Sequence, residues 1–267
     1  MIAVICSSNK PQYWQYLYYT LSQNKTPFNL TIVGPYSPSY SLPPNFKFIK
    51  SNVKPAQCAF IALHNTEGKY VIHVVDDIEL PNGLLDGMVD ILSKCSEYDV
   101  VTGGLVYEDA YICQGDIVIK LVDPDNKDIN RGIVSFPVPV PYHPMMYRDS
   151  MVEIGVDQKF KGSYWDMDIS LELVSRGGNV IHCGEVVYET TCESELRLHN
   201  SLDYDLTILL SMWVEDIMIA SAPIIERGAR YRHFVMQNHR REKIEPLEYI
   251  PDVHIRSQGY NDPERWD

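Results

Sequence analysis

Three carboxylates lie within four residues at Asp76, Asp77 and Glu79, directly after an apolar run at residues 70–75. Carboxylates this close together repel one another unless a cation or hydrogen-bond donors offset their charge. Their oxygens are hard ligands of the kind that Mg²⁺ or Mn²⁺ prefers, and these ions often share a site with substrate phosphates. The cluster therefore predicts a divalent-metal site, although a solvated acidic loop would show the same pattern.

A second pair of acids, Asp166 and Asp168, follows the aromatic residues Tyr164 and Trp165. Both acids fall at the predicted start of a helix, where the helix dipole stabilises a negative charge by about 0.3–1 kcal/mol. A carboxylate beside aromatic faces suits a sugar ring and its hydroxyl groups. The alternative is that Asp166 is only the N-cap of the helix and Asp168 a favourable acid of its first turn.

The first acidic cluster follows directly on a predicted strand. The apolar run at residues 70–75 lies between Gly68 and a Pro-Asn-Gly turn at residues 81–83, which is typical of a strand buried on both faces of a mostly parallel sheet. Ligands of such sheets bind at the carboxyl ends of the strands. The acids are therefore expected at the ligand-binding edge.

The remaining elements predict an α/β protein with a mostly parallel central sheet flanked by helices. A strand at residues 2–6, a helix opened by Pro11 and a strand at residues 30–33 form a crossover that is expected to be right-handed. Further strands are predicted at residues 46–49, 99–102 and 180–182. Further helices are predicted after Pro55, after Asn82 as an N-cap, at residues 150–155 and from Asp168 to Gly177.

A polar segment and a proline-rich segment separate the two acidic clusters. Residues 123–130 are polar and charged, and four prolines occur within residues 137–144. We interpret these segments as a mobile loop and an irregular approach to the active-site side.

The composition indicates an ordinary soluble globular protein of one large or two small domains. The chain has 267 residues, of which 45% are hydrophobic and 22% charged, and its net charge is −13. This charge argues against nucleic acid or an anionic membrane as the main partner, because both attract clustered Lys and Arg. It is compatible with a protein that gathers a divalent cation.

The cysteines and the apolar runs favour a cytoplasmic protein without a membrane span. Six cysteines are scattered without C-x-x-C spacing, which is typical of reduced thiols in a cytosol. The first residues lack the basic region of a signal peptide, and no apolar run approaches the ~20 residues of a spanning helix.

The order of these parts resembles the inverting family 2 glycosyltransferases, whose GT-A fold is an α/β sheet that binds a nucleotide-sugar. The resemblance covers roughly residues 2–185. Residues 2–21 resemble the opening strand and helix of that family, and residues 58–77 resemble the helix, turn and strand that lead to its DXD-type metal motif. Residues 145–160 resemble the stretch before its Glu-Asp motif, and residues 165–173 resemble that motif and its helix.

The resemblance implies roles for both acidic clusters. Asp77, with Glu79, would hold Mn²⁺ or Mg²⁺ on the diphosphate of a UDP- or GDP-sugar donor, and Asp76 would lie near the ribose or the metal. Ser7 and Asn9 would line the nucleotide. Asp166 would be the general base that activates a hydroxyl of a glycan or small acceptor, with inversion at the sugar carbon, and Asp168 is its rival for this role.

Three departures from the family pattern affect these assignments. Val33-Gly34-Pro35 stands where the family often has an acid that reads the base, and Trp165 replaces the Glu of the Glu-Asp pair. No His follows the last strand as a metal ligand, so Glu189 or His199 would have to substitute.

The carboxyl-terminal third carries no matching motif. We predict a GT-A catalytic domain at residues 1–199 and a helical extension at residues 200–267 that packs on it, with the apolar segment 206–220 facing the catalytic domain or a second subunit of a homo-oligomer. The basic segment 227–243 would contact a diphosphate or an anionic acceptor, or be a solvated helix face.

Two other functions are compatible with such a fold. One is a non-catalytic module that binds a sugar or a nucleotide, which the two acidic clusters disfavour. The other is a sugar nucleotidyltransferase, which is disfavoured because residues 6–10 contain no Gly-rich phosphate loop.

Overall fold

The computed structural model describes two sheets, the larger of which is mixed and has nine strands. Described are residues 1–107, 110–112, 116–123, 126–135 and 142–189, and positions 205, 208, 209, 212, 213, 218 and 219. Side chains are described for residues 1–103 and 143–184 and for positions 205, 208, 209, 212 and 213.

The helices and strands alternate along the first half of the chain. The helices are α1 Trp14–Leu21, α2 Pro55–His64, α3 Leu84–Leu92, α4 Arg148–Ile154 and α5 Trp165–Ser175. The strands are β1 Ile2–Ser7, β2 Phe28–Gly34, β3 Phe46–Lys50, β4 Tyr70–Val74, β5 Ile78–Glu79, β6 Val100–Tyr107, β7 Ala110–Ile112, β8 Asp116–Asp123, β9 Asn126–Ser135, β10 Tyr142–Tyr147, β11 Val180–Glu189 and β12 Met218–Ile219.

The large sheet has the strand order β3-β2-β1-β4-β10-β6-β11-β5, with β7 paired to β6. Strands β3, β2, β1 and β4 are mutually parallel, and β6 and β11 are parallel to each other. Because β10 is antiparallel to both β4 and β6, it separates two parallel groups that run in the same direction. The prediction of an α/β protein with a mostly parallel central sheet is therefore confirmed.

Helices cover both faces of this sheet. Ile2, Val4 and Cys6 of β1 are fully buried in a cluster with residues of α1 and α3. Ala3 and Ile5, which point to the other face, are buried with residues of α2, α4 and α5. Such burial on both faces explains why the central strands have continuous apolar sequences rather than alternating ones. The parallel pairing of β1 with β4 places their carboxyl ends side by side.

The start of α3 is capped from a distant loop. Asn82 was the predicted cap, but Gly83 occupies the N-cap position with a φ of 80°. The side chain of Asn24 accepts a hydrogen bond from the backbone N–H of Leu85 at 2.9 Å. In return, the Asp86 carboxylate accepts bonds from the N–H of Lys25 at 2.9 Å and of Thr26 at 2.8 Å, and from the Thr26 hydroxyl at 2.6 Å.

The polar segment that was predicted as a loop is mostly strand. Asn126–Ser135 forms β9, which pairs with β8 and with β12. The prediction was wrong because it relied on side-chain hydrophobicity, whereas backbone pairing within a sheet also accommodates polar sequences. The predicted helix at residues 206–220 ends earlier than expected, since positions 205, 208, 209, 212 and 213 are helical and Met218–Ile219 forms β12.

The proline-rich segment also contains a strand of the main sheet. Tyr142–Tyr147 forms β10, with Met145 paired to Ile72 and to Val101. The pairing with β6 shifts register between Tyr142 and Met145. Pro144 lies in this irregular stretch, where a residue without an N–H donor is tolerated. Pro144 therefore marks an irregularity within a strand, whereas residues 137–141 lie outside the described residues.

Candidate active site

Asp76 lies at the carboxyl edge of the sheet and is tied to the segment that follows β1. The Ser8 hydroxyl donates a hydrogen bond to Asp76 Oδ2, and the indole N–H of Trp14 donates to Ser8 Oγ. Asp76 is buried, and this burial, with a further contribution from the Asp77 charge, raises its pKa to about 6 despite the opposing effects of Ser8 and Lys10. Asp76 is thus held on the protein side of the edge.

Asp77 is paired with a lysine of the same segment. The Lys10 ammonium lies 3.2 Å from Asp77 Oδ2 and 5.6 Å from the centre of the Tyr13 ring. Asp77 is buried, so this ion pair is screened less than a surface pair would be. Lys10 places a positive charge beside the acid that the sequence assigns to metal binding.

Glu79 is directed towards α1 rather than into the same cluster. It is exposed, and its hydrogen bond with the Tyr16 hydroxyl is the main cause of a raised pKa of Tyr16. Among the side chains that the structure describes, no three His, Cys, Asp or Glu groups converge as metal ligands. Asp77 fits a Mg²⁺ or Mn²⁺ ion that is shared with substrate phosphates, because such sites need only one or two carboxylates.

The second acidic cluster brings Asp166 next to a histidine of β4. His73 Nδ1 lies 3.7 Å from Asp166 Oδ2, and its ring packs edge-on against Trp165 with centres 4.4 Å apart. The Asp166 side chain is 27% exposed and accepts a hydrogen bond from the N–H of Met167. Asp166 is not the N-cap, a position that Tyr164 occupies with a φ of 61°.

A second histidine, His143 of β10, is a neighbour of His73. It is buried, and burial, together with the neighbouring His73, lowers its pKa to about 4. The charges of Asp166 and Asp77 and a hydrogen bond with the His73 backbone oppose this shift. His73 lies on β4 three residues before Asp76, so its contact with Asp166 places the second acidic cluster beside the strand that leads into the first.

His143 is expected to make the stability of the protein dependent on pH. Between its ordinary pKa of about 6.5 and its folded pKa of about 4, the unfolded chain binds a proton that the folded chain does not. The free energy of unfolding should therefore fall as the pH drops through this window, by about 3 kcal/mol from this group. Asparagine accommodates the φ of 48° at this position, so His143→Asn should flatten this dependence in denaturant unfolding from pH 7 to pH 4. Equal slopes for the variant and the wild type would contradict the assignment.

Asp168 points away from Asp166, because the two positions differ by about 200° around the helix. Its side chain is fully buried, and Oδ1 accepts a hydrogen bond from the indole N–H of Trp213 at 2.9 Å. Burial and this bond disfavour Asp168 as the rival base. Only Asp166 of the pair is partly exposed.

The residues after β1 differ in their accessibility. Ser7 donates its hydroxyl hydrogen bond to the Pro55 carbonyl at 2.7 Å, and Asn9 is partly exposed. Ser8, which the sequence did not single out, is the residue that contacts the acidic cluster. Its backbone also explains the glycine at residue 34, because a Cβ there would lie 1.7 Å from the Ser8 carbonyl oxygen. The end of β2 therefore has no room for an acid at this position.

Some residues of the predicted site were recognisable from the sequence and others were not. His73 interrupts an apolar strand, and Lys10 follows the small polar residues of the first strand, so both carried a weak signal. His143 carried none, because its strand was not predicted. The side chains of Glu189 and His199, the substitute metal ligands, lie outside the described residues.

Comparison with known proteins gives similarity in structure but not in sequence. No protein-family model matches the chain, and neither does any curated protein. Solved structures of S. aureus TarS do match. A structure of TarS residues 1–349 matches 79% of this chain with 13% sequence identity and a TM-score of 0.50. The complex of the same residues with UDP-GlcNAc matches 73% of this chain with 15% identity and a TM-score of 0.51. The complex with UDP matches with 15% and 0.51 over 87%.

These matches identify the architecture as that of the GT-A glycosyltransferases. The chain has the GT-A fold. It spans 64%, 59% and 71% of the three TarS chains, respectively. In this GT-A fold, the described part of the site is formed by the segment after β1, the end of β4, His143 of β10 and the start of α5. No helix in the described part of the chain has the length and apolar character needed to cross a membrane.

Proposed function

We propose that the chain is a glycosyltransferase that moves a sugar from a nucleotide-diphosphate sugar to a hydroxyl of a glycan or small acceptor. The observation that carries this proposal is that, in a GT-A fold, the partly exposed Asp166 contacts His73 of β4, the strand that leads into Asp76 and Asp77, and that Asp77 is paired with Lys10. The TarS complexes with UDP-GlcNAc and UDP make a uridine nucleotide the first donor to test.

The donor would bind along the segment that follows β1. Asn9 and Ser7 would line the nucleotide, and Asp76, fixed by Ser8, would face the ribose. Lys10 would shift from Asp77 to a phosphate oxygen, since an ammonium binds phosphate as a point charge. A Mg²⁺ or Mn²⁺ ion at Asp77, with Glu79 if its side chain turns towards it, would offset the charge of the leaving diphosphate.

Asp166 would act as the general base. Its partly exposed carboxylate would accept the proton of the acceptor hydroxyl as the oxygen attacks the sugar carbon and the nucleotide diphosphate leaves. Attack from the face opposite the diphosphate inverts the anomeric configuration. An α-linked product from an α-linked donor, observed by NMR, would exclude this geometry.

The first experiment is nucleotide release from a panel of UDP-, GDP- and dTDP-sugars, with Mn²⁺ or Mg²⁺ and with EDTA. Metal-dependent release from one donor supports the proposed function and identifies the donor. Binding of a nucleotide-sugar without nucleotide release, whichever donor and acceptor are supplied, would favour the alternative of a non-catalytic binding module.

Lys10→Met is expected to weaken donor use with little effect on the chemical step. It keeps the length of the side chain but removes the charge, and a hydrogen bond to a charged group contributes about 1.5–3 kcal/mol. The KM for the donor should therefore rise roughly tenfold to a hundredfold. Lys50→Met, at an exposed lysine that ends β3, is the matched control. An unchanged donor KM would exclude Lys10 from diphosphate binding.

A further inference from the structure

Five described residues of the carboxyl-terminal part are helical. They are spaced as neighbours on one helix face, at positions 205, 208, 209, 212 and 213. Leu209, Met212 and Trp213 are buried in the same cluster as residues of α2, α4 and α5. Two of these five residues make polar contacts on either side of Asp166.

Asp205 holds the loop that leads into α5. Its fully buried carboxylate accepts hydrogen bonds from the backbone N–H groups of Lys161 at 2.7 Å, Gly162 at 2.8 Å and Ser163 at 2.8 Å. Charge-assisted bonds of this kind are about twice as strong as neutral ones. Three such bonds from consecutive residues fix the backbone immediately before Tyr164 and α5.

The same loop is held from its other side by α2. Gln57 Nε2 donates to the carbonyls of Gln158 at 2.8 Å and Phe160 at 3.2 Å. The N–H of Ala56 donates to the Lys161 carbonyl at 3.2 Å. The loop is thus bonded to the sheet-covering helix α2 on one side and to Asp205 on the other.

Trp213 holds the first turn of α5 on the side opposite Asp166. Its indole N–H donates to Oδ1 of Asp168, and both side chains are buried. Loss of this donor would cost free energy, because the carboxylate is buried. The bond therefore restrains the rotation of α5 about its axis. That rotation sets the distance between Asp166 and His73.

We propose that Asp205 and Trp213 are positioning residues for Asp166. Through these two residues, the carboxyl-terminal part of the chain controls the rate of sugar transfer. Asp205 sets the entry of the chain into α5, and Trp213 sets the orientation of its first turn. The hydrogen bonds described for these two residues go to the loop before α5 and to its first turn. The proposal rests on the proposed role of Asp166 as the general base.

The test combines steady-state kinetics with UDP binding in the variants Asp205→Asn and Trp213→Phe. Misplacement of a reacting group by about 1 Å costs on the order of 10²-fold in rate, so kcat for transfer should fall roughly tenfold to a hundredfold. The donor KM and the Kd for UDP should stay at wild-type values. Loss of a residue with a merely structural role would instead affect kcat, the donor KM and the Kd for UDP together.

Asp86→Asn is the matched control for Asp205→Asn. Asp86 also accepts three hydrogen bonds from a loop, but it lies at the start of α3. This variant should lose thermal stability and keep the wild-type kcat at temperatures where it is folded. An equal loss of kcat in the control would show a general effect of destabilisation and overturn the proposal.

Amide hydrogen exchange gives a readout that needs no activity. Peptides covering residues 161–169 should exchange faster in Asp205→Asn and Trp213→Phe than in the wild type, while peptides covering β1 and β4 should not change. Unchanged exchange at residues 161–169, or a wild-type kcat in both folded variants, would refute the positioning role. If the wild type turned over no donor but the exchange result held, the proposed function would fail while the contact between the two parts of the chain would stand.

Discussion

Asp166→Asn is expected to lower kcat for sugar transfer by about 10²–10⁴-fold, the range that a general base contributes. The amide cannot accept the proton of the acceptor hydroxyl, but it has nearly the same shape and can still accept the hydrogen bond from the Met167 N–H. Binding of UDP, measured by calorimetry, should therefore stay unchanged, because Asp166 lies on α5 and not in the segment after β1.

Asp149→Asn is a suitable control for this variant. Asp149 lies on α4, and its side chain is fully exposed. The same chemical change should there leave kcat and UDP binding at wild-type values. A fall of kcat by less than about tenfold in Asp166→Asn would rule out general-base catalysis by this residue.

Asp77→Ala is expected to abolish measurable nucleotide release from the donor. The variant removes the carboxylate that we propose as a ligand of a metal shared with phosphates, and metal stabilisation of developing charge is worth several kcal/mol. It also removes the partner of Lys10 in this ion pair, while the positive charge of Lys10 stays at this edge of the sheet. Release assays over a range of Mn²⁺ concentrations should show no recovery.

Asp90→Ala, an exposed acid on α3, provides the comparison for Asp77→Ala. It should respond to Mn²⁺ and EDTA as the wild type does. If Asp77→Ala released nucleotide at the wild-type rate, the proposed role of Asp77 would be lost. If EDTA had no effect on the wild type while Asp77→Ala was inactive, the carboxylate would act with Lys10 rather than with a metal.

Much of the fold could be predicted because its central strands are buried on both faces. The runs at residues 2–6, 30–33 and 70–75 are apolar for this reason, and the structure places them in adjacent parallel strands β1, β2 and β4. Asp76 and Asp77 follow the last run directly, so their place at the carboxyl edge follows from the strand itself.

The contacts that organise the edge could not be predicted in this way. Trp14 reaches Asp76 through Ser8, and His73 faces Asp166 from a position 93 residues earlier in the chain. Local periodicity contains no information on which distant elements become neighbours. Asp168 illustrates the difficulty, because its spacing from Asp166 suggested a shared site, whereas the helix turns its side chain towards Trp213.

The antiparallel strand β10 also determines the order in which the sheet is completed. Strands β4 and β6 each pair with β10 and not with each other, although both precede it in the chain. During synthesis, the group β3-β2-β1-β4 is therefore complete while the edge of β4 still lacks its neighbour. Strand β6 is joined to this group only when residues 142–147 have been made, and β11 is added later. His143 and α5 thus reach the acidic edge only after Asp76 and Asp77 are in place, and a chain arrested before β10 would lack the second acidic cluster.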